Sequence, residues 1–189
     1  MYQPLADPYC IALYFCPDLA SEHVKVVLSG EDADELFGGY WFYHMPDSNF
    51  KYQKIVLLFI RREVGGLMSY LPHFRGRDFL IRASKPLEKI FIENASMYNQ
   101  REKKFLLKRP ELVTDPSWIC RPFYDRVKDY DDVTKMQYLD INLWMVGDIL
   151  LKADRMSMAN SLELRVPFLD KEVFRVAATV PRKLRVANG

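Results

Sequence analysis

Two stretches of the 189-residue chain combine residue types and spacing that could do chemistry. In the first, Leu28-Ser29-Gly30 leads at once into Glu31, Asp32, Asp34 and Glu35, four carboxylates within five positions, and then into Leu36-Phe37-Gly38-Gly39-Tyr40. A strand that ends in Ser-Gly and opens into a helix is where open α/β sheets bind ligands. The free N–H groups of a helix start favour anions such as phosphate, yet four carboxylates repel phosphate unless Mg²⁺ sits between them. Mg²⁺ takes one or two carboxylates and completes its shell with water and substrate phosphate oxygens. The same acids have a plainer use, because each one in a first turn complements the helix dipole by about 0.3–1 kcal/mol. Residue types alone leave both uses open.

The second stretch is Leu150-Leu151-Lys152-Ala153-Asp154-Arg155, continuing through Met156-Ser157-Met158-Ala159-Asn160-Ser161-Leu162 to Glu163-Leu164-Arg165-Val166-Pro167-Phe168-Leu169-Asp170. Lys152 and Arg155, three apart, share a helix face and could present two cations to a polyphosphate. Glu163 and Arg165 flank a turn into an extended stretch and could pair with each other. The plainer alternative is solvated charge with one structural ion pair, and Met156 and Met158 read as core filler. His23, His44 and His73 have no partner at ligand spacing, so no zinc site is expected. The basic pairs Arg61-Arg62, Arg75/Arg77 and Arg101/Lys104 read as solvated helix faces. Gly38-Gly39 fits neither the dinucleotide nor the P-loop fingerprint.

The elements that must position these residues are mostly helices. They are expected over residues 9–22 (kinked at Pro17), 32–44 (stopped before Pro46), 50–61, 79–83, 87–98, 100–107 and 118–130, with Gly65-Gly66, Pro72, Pro86, Pro110 and Pro116 as separators. Residues 133–146 carry Met136, Leu139, Leu143 and Val146 at helical spacing. A further helix follows Gly147, with Asp148 as its N-cap, and runs toward Leu162; a last one over 171–180 is capped by Asp170. Residues 23–29 hold a continuous Val/Leu run that reads as a strand buried on both faces, the parallel-sheet type. Residues 164–168 are extended, in part because of Pro167. A lone strand cannot satisfy its own backbone groups, so its partners are expected from sequence outside these residues. Met1 reads as an added start, and the last four residues read as a cut end of a larger α/β protein.

Composition narrows the classes further. At 49% hydrophobic and 28% charged residues the chain is an ordinary globular domain, which excludes disorder, collagen and coiled coil. Its length suits about one domain. With 27 Lys+Arg against 25 Asp+Glu, the net charge of +2 points to neither nucleic acid nor an anionic membrane. The apolar run over residues 55–60 is far too short to span a bilayer, and no secretory signal is visible. Cys10, Cys16 and Cys120 form no even framework, which fits a reducing, cytoplasmic setting.

Taken together, the two motifs resemble the ATP-dependent synthetase half of glutamine-hydrolysing asparagine synthetase. That family carries S-G-E-G-A-D-E-L-F-G-G-Y, nearly as written from Ser29 to Tyr40, and a helix like that from Leu150 to Asp170. The resemblance covers most of the chain, the middle third by pattern more than by letters. It implies a piece of a doubly wound parallel-sheet domain of the PP-loop ATP pyrophosphatase, or adenine nucleotide alpha-hydrolase-like, kind. It further implies a carbon–nitrogen ligase of asparagine biosynthesis. Aspartate would be adenylated by Mg²⁺-ATP with release of pyrophosphate, and ammonia from a glutaminase domain would then displace AMP. By resemblance, Ser29 and Gly30 contact ATP through the backbone, Asp34 is the Mg²⁺-side carboxylate and Glu31 is the acid–base residue near the attacking ammonia. The cation facing the phosphates is Lys152 or Arg155.

Three departures qualify the match. The family's S-G-G-x-D-S pyrophosphate loop is not among these residues, nor is the glutaminase domain, so none of the three cysteines inherits its nucleophile's role. Asp32 stands where the family has Gly; if the position needs a positive φ, Asp is one of the few residues that tolerates it. Two rival readings remain: a ring-closing carboxylate-adenylating enzyme of the β-lactam synthetase type, and a helical interaction module without catalysis. A catalytic Cys at the start of the full gene product would separate the first from asparagine synthetase. A natural reading frame that starts at Met1 would favour the second. Assembly is left open, with a homodimer one form of the full-length enzyme.

Overall fold

The computed structural model describes residues 7–92, 98 and 100–186. Its contacts divide the chain into two compact units, one built from both ends (up to Gly39 and from Asp140 onward) and one from the middle, Tyr40–Leu139. In chain order the first unit begins with α1 (Tyr9–Ser21), β1 (Val26–Leu28) and α2 (Ala33–Phe37). The middle unit holds a 3₁₀ turn (Trp41–His44), α3 (Met45–Ile55), α4 (Leu58–Met68), α5 (Arg77–Ala83), α6 (Leu87–Ile90), α7 (Gln100–Leu106), a second 3₁₀ turn (Pro110–Leu112), α8 (Ser117–Arg126) and α9 (Asp132–Leu139). The first unit resumes with a π-helical segment (Asp140–Ile149), α10 (Leu150–Ala159), β2 (Glu163–Arg165), a 3₁₀ turn (Pro167–Leu169), α11 (Lys171–Thr179) and α12 (Arg182–Arg185).

In the first unit, β1 pairs in parallel with β2, Val26 opposite Glu163, Val27 opposite Leu164 and Leu28 opposite Arg165. This corrects two expectations. A partner strand lies within the chain itself. The strand is also not buried on both faces, since Val26 is 40% and Leu28 73% exposed. The ladder extends past the strand ends through Glu163 N–H to the Lys25 carbonyl (2.9 Å) and Ser29 N–H to the Arg165 carbonyl (2.8 Å). Two short strands with helices on the same unit give a mostly helical α/β arrangement. The core here is Leu36, Met145, Ile149, Ala153, Leu162 and Ala177.

Several helix boundaries differ from the sequence expectation for identifiable reasons. The helix expected over 32–44 stops after Phe37, because Gly38 takes φ +76° and its N–H turns back to the Asp34 carbonyl at 2.8 Å. Pro46 starts α3 instead of ending its predecessor, since a first-turn proline lacks only an N–H the helix does not use. Gly65 and Gly66 lie inside α4; a side chain at Gly65 would run into Ser84, so the glycine serves close packing of α4 against α5. Pro17 and Pro122 likewise sit within α1 and α8. The helix expected over 87–98 ends at Ile90 within the described residues.

The largest difference lies after Leu139. Residues 140–149 take π-helical hydrogen bonding, which widens the turn from 3.6 residues and rotates the apolar stripe. Met136 and Leu139 are fully buried as expected, but the stripe continues through Met145 and Ile149 and leaves Val146 59% exposed. Gly147 and Asp148 therefore fall inside this segment, and Asp148 is not an N-cap. Asp170 is one: its Oδ1 accepts the Glu172 N–H at 2.8 Å at the head of α11.

In the middle unit, Tyr43, Ala83, Val133, Met136 and Leu139 are fully buried. Tyr124 Oη donates to the Phe91 carbonyl at 2.6 Å, and Phe91 packs against Phe42 with ring centroids 5.9 Å apart. Arg77 donates to the Met68 carbonyl at 2.9 Å, satisfying the open end of α4.

Candidate functional site

The turn between β1 and α2 gathers Ser29, Gly30, Glu31 and Asp34 within one strand-to-helix connection. Ser29 N–H is committed to the ladder with Arg165, and its Oγ accepts the Glu31 N–H at 3.2 Å. The Ser29 amide expected to face ATP is thus already used, which leaves its hydroxyl proton and carbonyl for a ligand. Gly30 is exposed, with nothing within 4 Å of where a Cβ would stand, so another molecule can approach its backbone closely. Asp34 is exposed, and its carboxylate leans over Gly39, where any side chain would collide with it. Gly38 is equally confined: a Cβ there would lie 2.8 Å from the Arg185 carbonyl oxygen.

Asp32 has φ +73°, the left-handed backbone for which the family's Gly is suited. Its side chain is 2% exposed, and neither carboxylate oxygen has a hydrogen-bond partner. Burial, together with the charges of Glu35 and Glu31, pushes its carboxyl up to about 7. Glu35 is itself 1% exposed. Residue types alone do not separate the four acids; the fold buries Asp32 and Glu35, leaves Glu31 half-buried and exposes Asp34.

The second motif reaches the same neighbourhood from α10. Burial raises the Glu31 carboxyl above the usual glutamate range, the Lys152 ammonium opposes that rise, and Asp34 adds to it. Lys152, 7% exposed, donates to Asp148 Oδ2 at 3.2 Å and also to Asp7. Burial pulls its ammonium down, but the hydrogen bonds and charges of Asp7 and Asp148 outweigh burial and leave it raised. Trp144 Nε1 donates to the same Asp148 oxygen at 3.2 Å. Arg155 lies one turn further along α10, half-buried. Glu163 and Arg165 pair at 2.8 Å as expected, whereas Met158 is 59% exposed and fills no core.

Asp7, Trp144 and Asp148 went unremarked as site residues in the sequence. The spacing of Trp144, Asp148 and Lys152, four apart each time, was the available signal, since such residues are neighbours on a helix. Asp7 gave none, being far from Lys152 in sequence. A cavity of about 360 Å³ in this unit is lined by Leu36, Met145, Phe168 and Phe174 among others and includes none of the candidate residues.

A divalent cation fits the turn in one mode. Among the described residues no cluster of three or more His, Cys, Asp or Glu side chains is arranged for a metal. Asp34 supplies one exposed carboxylate, and Mg²⁺ can take as few as one when phosphate oxygens and water complete its shell. The buried Asp32 oxygens face inward and do not belong to that surface. Among the described residues no helix is long and apolar enough to cross a membrane, and all three cysteines are free.

Comparison with known proteins identifies the family. The model for the family described as asparagine synthase matches residues 1–189. The chain is 46% identical over 194 residues to "Asparagine synthetase [glutamine-hydrolyzing] 1" of Bacillus subtilis (strain 168), covering 98% of this chain and 29% of that protein. It is 44% identical over 192 residues to "Putative asparagine synthetase [glutamine-hydrolyzing]" of Mycobacterium bovis, covering 98% and 28%. "Asparagine synthetase [glutamine-hydrolyzing] 3" of Bacillus subtilis is 26% identical over 182 residues, covering 96% of this chain and 24% of that protein. No solved structure matches. The chain spans under a third of the length of these curated relatives. With the two motifs on one unit and the match running the whole length, the chain belongs to the asparagine synthase family.

Proposed function

We propose that the protein carrying this chain makes asparagine, activating the aspartate side-chain carboxylate with ATP and then amidating it with ammonia from glutamine. The observation that supports it most directly is the meeting of the two family motifs: the Glu31 carboxylate of the β1–α2 turn lies within the electrostatic reach of Lys152 on α10. Such a strand-end turn is the usual ligand position in an open α/β sheet. A doubly wound PP-loop sheet is the parent fold we assign.

In this reading Gly30 offers a backbone approachable by the nucleotide, and Ser29 offers its hydroxyl. Asp34 would hold Mg²⁺, which when bound would supply charge neutralisation for the departing pyrophosphate. Arg155 faces the phosphates from α10, and Lys152 holds that helix in place. Adenylation replaces a carboxylate oxygen that cannot leave with an AMP group that can. Attacking ammonia must shed a proton as it becomes an amide nitrogen, and Glu31 accepts it. The half-buried setting that raises the Glu31 carboxyl makes it a better base than a solvated glutamate. The substrates are aspartate and ATP, and ammonia comes from a glutaminase domain of the same protein. The free cysteines suit the reducing cytoplasm.

The test is ATP–pyrophosphate exchange with the full-length protein. Exchange that requires both aspartate and Mg²⁺, and that is lost in Arg155→Met, is expected. Exchange without aspartate would refute the assignment of substrate.

A further inference from the structure

Lys152 lies between two carboxylates drawn from different parts of the first unit. Asp148, one helical turn earlier, accepts from Nζ at 3.2 Å with the oxygen that also takes the Trp144 indole N–H. Asp7, just ahead of α1, takes a second bond from the same ammonium through Oδ2. Its other oxygen accepts the Tyr9 N–H at 2.9 Å and so caps the start of that helix. The Tyr9 ring centroid stands 6.0 Å from Nζ. At the far end of α10, Asn160 Nδ2 donates to the Tyr14 carbonyl at 3.1 Å. Both ends of α10 are thereby tied to α1, one at its start and one at its middle.

An ammonium has three donors, and two are already placed. One lysine against two carboxylates gives the cluster a net negative charge, the wrong sign for a polyphosphate. We infer that Lys152 is an ionic clamp fixing the start of α1 to α10, a positioning residue that holds Arg155 in place and does not itself touch phosphate. This rests on the reading of the β1–α2 turn and α10 as the ATP site.

The experiment uses the full-length protein with two readouts. One is the KM and kcat of ATP–pyrophosphate exchange. The other is the rate at which iodoacetamide labels Cys10, half-buried beside the clamp, with exposed Cys16 on the same helix as internal standard. Lys152→Met should raise the KM for ATP about tenfold or more, as expected when a positioning contact is lost. It should also speed Cys10 labelling several-fold relative to Cys16. Asp148→Asn should move both readouts in the same direction. The compensated variant Asp7→Asn/Asp148→Leu/Lys152→Met should bring both back to within about threefold of wild type, because a buried ion cluster can be replaced by neutral groups that pack.

If the compensated variant regains Cys10 protection yet stays as impaired in exchange as Lys152→Met, the ammonium touches phosphate and the inference is overturned. Unchanged Cys10 labelling in both Lys152→Met and Asp148→Asn overturns the clamp itself. Full exchange in Arg155→Met would instead refute the site reading, while the labelling arm still decides whether the clamp exists.

Discussion

Replacing Asp32 with glycine should stabilise the protein, and by more at pH 8 than at pH 5. The side chain is 2% exposed, its φ is +73°, and both its oxygens lack a hydrogen bond. Releasing a non-glycine residue from left-handed backbone returns about 1 kcal/mol. Removing a buried polar group without a partner returns about 1–3 kcal/mol. Two effects oppose: the freer unfolded chain of glycine, about 0.5–1 kcal/mol, and the loss of an acid near a helix start, about 0.3–1 kcal/mol. The second of these is small here, because Asp32 makes no capping bond to α2. The balance is a gain of about 1–2 kcal/mol before ionisation is counted.

Ionisation makes the gain pH-dependent. The folded carboxyl titrates at about 7 against 3.8 when exposed. Below 3.8 both states hold the proton and the group is neutral in its effect. From there to about 7 the unfolded chain gives up its proton while the folded one keeps it, so wild-type stability falls across that window. Between pH 5 and 8 the loss amounts to about 2–3 kcal/mol, at roughly 1.4 kcal/mol per pH unit up to the folded value. The assay is hydrogen exchange in EDTA of the Leu36 and Gly38 amides, which bond to the Asp32 and Asp34 carbonyls, together with urea midpoints at the two pH values. A destabilised Asp32→Gly protein, or a gain equal at pH 5 and 8, would refute the reasoning.

Other expectations follow from the same turn. Glu31→Gln should keep aspartate-dependent pyrophosphate exchange while lowering asparagine formation about 10²–10⁴-fold, the usual worth of a general base; equal loss of both would make Glu31 a binding residue. In the wild-type protein the amide-forming step should fail on acidification at a higher pH than an ordinary glutamate would give, since burial raises this carboxyl. Gly38→Ala forces a side chain into left-handed backbone against Arg185 and should cost about 1–2 kcal/mol in unfolding, with the Mg²⁺ requirement unchanged. Gly39→Ala displaces the Asp34 carboxylate and should instead raise the Mg²⁺ concentration needed for exchange. The 189 residues alone should show no exchange, because no S-G-G-x-D-S loop is among them to cradle pyrophosphate.

The sequence made structure legible where it is local. The turn over residues 29–34 could be recognised because one strand, one turn and one helix are written consecutively, and the Asp170 cap because a cap and its helix are adjacent. The strand pairing was not legible: Glu163 to Arg165 is too short to signal a strand, and only the closed chain brings it beside Val26 to Leu28. Asp148 was misread because a glycine before an aspartate mimics a helix start, and nothing in the letters announces a π-helical turn. The inward turn of Asp32 and Glu35 depends on a backbone angle, and composition does not encode it.

The central claim is that this site adenylates aspartate, and isotope transfer tests it most directly. The full-length protein would be given aspartate labelled with ¹⁸O in its side-chain carboxylate, together with ATP, Mg²⁺ and glutamine. Adenylation joins that carboxylate oxygen to the α-phosphorus, so displacement by ammonia must leave one ¹⁸O on AMP and release unlabelled pyrophosphate. Label in inorganic phosphate with ADP as co-product, or AMP formed without label, would contradict the account.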